Sequence, residues 1–343
     1  MRDNWNATLT PRQVAACRDV QALMDRSDLE LESVPCLCGG RNGELIASRD
    51  WFGFFYPLRL CGTCGVLWQS ERFKPKSLQR FYSDWYRKVY DTRPAIEIEA
   101  EWQAAVERGN RRYNAISQMV RLASGSIVAD IGCNFGTLLT RFQAEGMQIW
   151  GCDFGEEHLH FGRERLGTSS LLHGDAERLV DAGVRAQLVT MDHVFEHFAD
   201  PLAELTRIRS ILAPGGRVFV SVPGTWWWTR NVCSGDLLSL LQNAHTYQFD
   251  LDSLCDTFGK AGFDLESGTG EIAAVFRVGQ PSGTANSGTH RAARLVRRGL
   301  LALERRRKVR YAVRMALRSV GLEEGARKLL VRSSQGTQGA DLG

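Results

Sequence analysis

Between residues 116 and 278, short apolar runs alternate with longer segments whose apolar positions recur every three or four residues. The runs "SIVADIG", "MQIWGCD", "SSLLHGD", "AQLVTMDH" and "GRVFVSVPG" predict strands, and "GTLLTRFQAEG", "EEHLHFGRERLG" and "PLAELTRIRSILAPGG" between them predict helices. This alternation predicts an α/β fold with a mostly parallel sheet and helices on both faces. Residues 1–33 read as a helical lead-in with Thr10 as N-cap and Pro11 at the first helical position. Residues 34–70 change texture to Cys, Gly and aromatics, and residues 71–115 form an aromatic and charged helical connector. After the α/β segment, "GQPSGTANSGTH" within residues 279–290 is a linker into a helical tail, residues 291–343. In that tail Val309, Val313, Ala316, Leu317 and Val320 follow helical spacing, while Arg306, Arg307, Arg310, Arg314 and Arg318 point mostly elsewhere.

Composition narrows the class. The 343 residues are 43% hydrophobic and 24% charged, as in a globular protein of one large domain with small modules. No run of roughly 18 apolar residues is present, and the amino terminus has no apolar signal region, so the sequence predicts a cytoplasmic protein without a membrane span. Nine cysteines, an odd number without a secretion signal, argue against a disulfide framework. The net charge of +4 is unevenly placed: residues 281–343 hold 14 Arg/Lys against 4 Asp/Glu, net +10, which leaves −6 for residues 1–280. A basic amphipathic tail offers peripheral contact with an anionic membrane, at the inner membrane face, or with an acidic partner. Nucleic acid is the disfavoured partner, because aromatics are not interleaved with the charges.

The strand ends carry the chemistry. In "VADIGCNFGTLL" the first strand closes on Asp130, and Gly132 and Gly136 frame a turn whose free N–H groups can meet a ligand. The second strand ends at Asp153, the third leads to Asp175 and Ala176, and the fourth reaches Asp192 in "MDHVFEHFADP". Acidic residues at successive strand ends surround the crevice where open α/β sheets bind ligands. The spacing from Gly132 to Gly136 is G-x-x-x-G, not the G-x-G-x-x-G of dinucleotide binders, which weighs against the competing reading of an NAD-binding domain.

With these motifs in order, residues 116–278 resemble the class I S-adenosylmethionine-dependent methyltransferases. The resemblance implies a Rossmann-like seven-stranded sheet with its last strand antiparallel. It implies that the Asp130, Gly132 and Gly136 turn holds the methionine portion of the cofactor, Asp153 the ribose hydroxyls, and Asp175 with Ala176 the adenine edge, with Asp192 at the same rim.

Upstream, Cys61 and Cys64 form a C-x-x-C knuckle, and Cys36 and Cys38 precede it by about 25 residues, so four thiolates can surround one structural zinc with no open position for catalysis. The first pair is C-x-C where zinc ribbons normally have C-x-x-C. A ribbon ending in "CGTCGVLW", then "FYSDWYRKVY", then the α/β core, resembles the two-part methyltransferases of nucleotide-sugar and surface-glycan pathways and the amino-terminal parts of the deoxysugar C-methyltransferases. The further C-terminal domain of the latter has no counterpart in the tail, which favours O-methylation over C-methylation.

Proton removal from a hydroxyl needs a base near neutral pKa. "MDHVFEHFADP" supplies His193, Glu196 and His197, and "NAHTYQFD" supplies His245; His197 is the first choice and His245 the second. The Glu196–His197 pair resembles that of the ubiquinone-pathway O-methyltransferases and of small-RNA 2′-O-methyltransferases, where a similar set binds a divalent metal. Trp226, Trp227 and Trp228 follow the fifth strand, and flat indoles there can floor an acceptor pocket for a sugar, with His193 beside them. The sequence therefore predicts an S-adenosylmethionine-dependent enzyme that O-methylates a small-molecule or lipid-linked sugar. The alternatives are an RNA methyltransferase that holds its substrate with the ribbon, and a noncatalytic scaffold that binds zinc and S-adenosylmethionine.

Overall fold

Thr10 and Gln13 form a capping box and Pro11 occupies the first turn, which starts α1 (Pro11–Asp25). The computed structural model describes residues 9–90, 97–231, 237–280 and 289–319. After α1 come the short strands β1 (Leu31–Ser33), β2 (Gly43–Arg49), β3 (Phe55–Cys61), β4 (Leu67–Gln69) and β5 (Glu71–Phe73), then α2 (Pro75–Asp84), α3 (Tyr86–Tyr90) and the long α4 (Ile98–Met119). A core of Val20, Leu29, Phe54, Phe73, Phe81 and Val89 binds α1, α2 and α3 to these strands.

The α/β unit follows as β6 (Ile127–Ile131), α5 (Leu139–Ala144), β7 (Gln148–Asp153), α6 (Glu156–Leu166), β8 (Leu171–His173), α7 (Glu177–Asp181), β9 (Ala186–Asp192), α8 (Pro201–Ile211), β10 (Leu212–Ser221) and α9 (Thr225–Asn231). It closes with β11 (Tyr247–Gln248), α10 (Leu251–Lys260), β12 (Phe263–Gly268) and β13 (Ala273–Val278), and α11 (Thr289–Ser319) ends the described chain. Local chemistry sets several boundaries. Asp200 accepts from the Ala203 N–H ahead of Pro201, Asp250 and Ser253 form a capping box for α10, and Gly167 takes the left-handed conformation that ends α6.

The sheet has seven strands in the order β12-β13-β10-β9-β6-β7-β8. β10, β9, β6, β7 and β8 are parallel, and β13, last in the chain, is antiparallel to both of its neighbours. This is the seven-stranded, mostly parallel sheet that the resemblance implied. Val128, Ala129, Leu188, Val189, Val218 and Val220 are fully enclosed. Burial on both faces explains why these strands read as continuous apolar runs and not as alternating ones. Each such Val or Leu side chain contributes on the order of 1.5–3 kcal/mol by leaving water.

A second sheet of four strands runs β11-β4-β3-β2. It joins sequence neighbours from the cysteine segment to a strand roughly 180 residues away: Tyr247 pairs with Trp68 and Gln248 with Leu67. α11 lays Val296 and Leu300 against Tyr56, Leu58, Leu60 and Leu67 of this sheet, so the packed stripe of the tail helix lies at its start. Val309 and Val313 are 62% and 52% exposed, and Val320 lies outside the described residues.

Candidate active site

β8, β7, β6 and β9 are neighbours, so their carboxyl ends share one rim, and Asp130, Asp153, Asp175 and Asp192 stand at or just beyond it. After β6 the chain turns through Gly132, Asn134 and Gly136, all with positive φ (+73°, +52° and +77°). The two glycines were legible from sequence. Asn134, between them, is the non-glycine residue type that best tolerates this conformation. A Cβ on Gly132 would lie 2.4 Å from Val194 Cγ2, and one on Gly136 would lie 2.9 Å from Leu171 Cδ1. The turn is therefore packed on the loop that follows β9 at Gly132 and on β8 at Gly136.

Asp153 organises the neighbouring strand end. Its Oδ2 accepts the Asn134 N–H at 2.9 Å and its Oδ1 the Gly155 N–H at 2.7 Å, which ties the loop after β6 to the end of β7. Asp130 sits deeper, nearly enclosed, where Thr190 Oγ1 donates to its Oδ1 at 2.6 Å. Burial pushes its carboxyl up to about 8, against the Thr190 hydrogen bond. Asp192 pairs with Arg112 of α4 at 2.9 Å, and Asp175 Oδ1 accepts the Glu177 N–H at 3.1 Å, opening α7 with Ala176 buried beneath it.

The loop after β9 carries a cluster of His and Glu side chains. His193 adopts φ +57° and its N–H donates to the Ser221 carbonyl at 2.8 Å. Glu196 is buried, and neither of its carboxylate oxygens has a hydrogen-bond partner among the described residues. Its Oε1 lies 3.7 Å from His193 Nδ1 and 3.9 Å from both His197 Nε2 and His245 Nε2. The structure thus brings together all four residues singled out from "MDHVFEHFADP" and "NAHTYQFD".

These imidazoles differ in state. Burial holds His197 below its ordinary value, and burial followed by the neighbouring His197 lowers His245 to about 3, so both are neutral near pH 7. Burial also opposes the charge on His193, but Glu196 and Asp192 outweigh it and raise this ring. His197 Nδ1 lies 3.0 Å from the Ala244 carbonyl and 3.0 Å from the Tyr82 hydroxyl. A carbonyl only accepts, so the ring proton sits on Nδ1 and Nε2 keeps its lone pair. His245 is 3% exposed in its side chain against 16% for His197, and the Gln242 amide contacts its Nε2, so His197 is the better placed to meet a substrate proton.

Tyr82 and Tyr86 are site residues that sequence reading missed. They stack at 4.9 Å, both rings lie about 6.4 Å from His197, and burial, then the Glu196 and Asp153 carboxylates, push Tyr86 up to about 12. Tyr86 therefore lies within the field of both halves of the crevice. Their only sequence signal is the aromatic density of "FYSDWYRKVY". The three tryptophans separate. Trp228 is edge-on to His193 at 5.5 Å, whereas Trp226 turns toward α11, where it lies against Gly299 and its Nε1 donates to Asp250. Trp226 thus belongs to a packing seam and not to the floor of an acceptor pocket; Trp227 is partly buried on α9.

The depressed His245 pKa has a measurable sign. An unfolded histidine, near 6.5, binds a proton between pH 6.5 and 3 that the folded ring refuses, so its contribution to stability is present above pH 6.5 and is lost on acidification. Between pH 7 and pH 5 the parent protein is expected to lose about 2 kcal/mol more than His245→Gln. Denaturant titrations of both proteins at the two pH values, with a chelator present, check this; equal losses would show that His245 protonates freely in the folded state.

The cysteine segment reaches the same site. Cys36 Sγ is 3.4 Å from Cys64 Sγ and Cys38 Sγ is 3.5 Å from Cys61 Sγ, and all four sulfurs lie within 4.8 Å of one another. Tetrahedral Zn–S bonds of about 2.3 Å place sulfurs just under 4 Å apart, so this set fits a zinc ion, Cys36 of the irregular C-x-C pair included. The Cys61–Cys64 knuckle is also the turn between β3 and β4, and β4 seats the chain that bears His245. The Gln69 N–H donates to the Thr246 carbonyl, Tyr56 Oη to the His245 carbonyl at 2.6 Å, and the Asn243 N–H to buried Asp50 at 2.8 Å.

The sheet order, the glycine turn and the acidic rim define a class I methyltransferase domain, and residues 103–268 match the family described as methyltransferase domain. That match spans just under half of the chain. Among curated relatives it is similar to ubiquinone biosynthesis O-methyltransferases. One from Vibrio cholerae is 28% identical over 130 residues, covering 36% of this chain and 53% of that protein. One from Dinoroseobacter shibae is 38% identical over 101 residues, covering 28% and 41%. The chain spans about half the length of these relatives. Similar solved structures include TnmH, at 22% identity, 52% and 57% coverage and TM-score 0.42. Another is the magnesium protoporphyrin IX methyltransferase of Synechocystis, at 14%, 60%, 100% and 0.41.

Proposed function

We propose that the protein transfers a methyl group to a hydroxyl of a sugar held on a nucleotide or a lipid, with His197 as the base. The observation that carries the reading is the neutral His197 ring, its proton committed to the Ala244 carbonyl and its Nε2 set 3.9 Å from the Glu196 carboxylate. S-adenosylmethionine, when bound, supplies a sulfonium methyl group that bonds to the acceptor oxygen as the S–CH3 bond breaks and the sulfur becomes a neutral thioether. Asp153 and the turn from Gly132 to Gly136 orient that donor, with Asp175 and Ala176 at its adenine end. His197 Nε2 takes the hydroxyl proton, and the Glu196 carboxylate, 3.9 Å from that nitrogen, stabilises the imidazolium that results. Trp228, against His193, offers an apolar face to the C–H side of a sugar ring. The names of the curated relatives support an oxygen acceptor. In this reading a zinc ion on Cys36, Cys38, Cys61 and Cys64 is structural.

A second reading assigns Glu196, His197 and His245 to a divalent cation that orients the acceptor oxygen. It is favoured by the two carboxylate oxygens of Glu196, buried without a hydrogen-bond donor beside deprotonated ring nitrogens. Isotope-labelled S-adenosylmethionine, incubated with the protein and a host extract then separated into polar, lipid and RNA fractions, tests both. Label in the polar or lipid fraction, insensitive to a mild chelator, is the expected result. Label in RNA overturns the sugar acceptor. Chelator-sensitive labelling restored by manganese transfers the role of His197 from base to ligand.

A further inference from the structure

α11 divides into a half committed to the fold and a half that projects from it. Ala293, Val296, Leu300 and Leu303 are buried, and Arg297 pairs with Glu44 of β2 at 2.6 Å. Beyond Leu303 the helix continues to Ser319, about 24 Å further at 1.5 Å per residue. A second stripe runs along it: Leu295, Ala302, Val309 and Ala316 recur every seven residues, with Val313 one turn from Val309, and all are exposed. Nine residues, or two and a half turns, separate Leu300 from Val309, so this stripe faces opposite to the packed one. Arg298, Arg305 and Arg306, all exposed, flank it.

Charge selects what this face meets. Residues 305–319 contain seven Arg/Lys and no Asp/Glu, so a second copy of α11 laid against the stripe would oppose like charges. Phosphate groups of RNA would pair with the arginines but leave the apolar line without a use. A sheet of anionic headgroups above acyl chains satisfies both parts, with apolar residues entering the interface and arginines at its rim. Among the described residues no helix is long and apolar enough to cross a membrane, so the contact is peripheral. We propose that the outer face of α11 seats this protein on an anionic lipid surface. The inference is independent of which atom is methylated. Through the Gly299–Trp226 contact, the same helix adjoins α9, which carries Trp228 to His193.

Co-sedimentation of the full chain with vesicles of phosphatidylcholine alone, and of phosphatidylcholine with phosphatidylglycerol, tests it. Partitioning is expected to be at least about tenfold stronger on the anionic vesicles and to weaken with salt. Val309→Asp with Val313→Asp, and separately Arg305→Glu with Arg306→Glu, should each lower it about tenfold or more. These positions are exposed, so near-ultraviolet circular dichroism and S-adenosylhomocysteine binding should match the parent. Equal partitioning on both vesicle types, or none, overturns the proposal. So does a dimer that the same substitutions dissociate, and so does anionic binding that survives the Asp pair and is competed by soluble RNA.

Discussion

Replacing His197 with Gln lowers methyl transfer by about 10²–10⁴-fold and leaves S-adenosylmethionine affinity unchanged. Gln keeps an amide near Nδ1 for the Ala244 carbonyl but offers no basic nitrogen at the Nε2 position. The turn from Gly132 to Gly136 and Asp153, which the proposed function assigns to the cofactor, lie in other elements, so binding and chemistry separate. Single-turnover rates beside calorimetric cofactor titration check the split. The pH profile adds a second readout: a parent limb set by a depressed imidazole, flat in the variant. A variant with parental single-turnover rates would remove His197 from proton transfer and leave positioning as its role.

Gly132→Ala is expected to cripple cofactor binding. The residue sits at φ +73°, where a side chain costs about 1–2 kcal/mol, and its new Cβ would fall 2.4 Å from Val194 Cγ2, an overpacking that adds on the order of 1–3 kcal/mol. If both costs fall on the closed turn, affinity for S-adenosylmethionine drops roughly 30-fold to 4,000-fold. Adding Val194→Ala removes the clashing methyl and should return part of the loss, leaving only the dihedral cost. Identical affinities for the single and double variants would show that the loop after β9 yields freely and that the steric reading is wrong.

Where the sequence was informative, the signal was local. Continuous apolar runs marked the strands and period-3.6 patterns the helices from 116 to 278, because each element's environment is written into its own residues. Asp130, Asp153 and Asp192 could be placed at one rim because strand ends can be counted, and the four cysteines could be grouped because a C-x-x-C knuckle is short. What stayed hidden depends on distant partners. β11 is two residues long and gains its identity only from β4. Tyr82 meets His197 across 115 positions, and nothing around either residue announces the other. The tryptophan triplet lies between these cases: helical side chains about 100° apart cannot share one environment, but which of Trp226 and Trp228 faces the crevice depends on distant partners.

The pairing of β11 with β4 bears on how such a chain can be divided or recombined. A fragment beginning at residue 97 would retain every strand of the large sheet and the whole donor crevice, and by sequence would pass for a complete transferase. It would lack Asp50, Tyr56 and Gln69, which hold Asn243, the His245 carbonyl and Thr246 in place. If His245 and His197 face the acceptor as proposed, the boundary between the two segments falls inside that wall, and exchange of the amino-terminal piece between related proteins would carry acceptor preference with it. Neither half can be inherited alone without the other losing the task the two share.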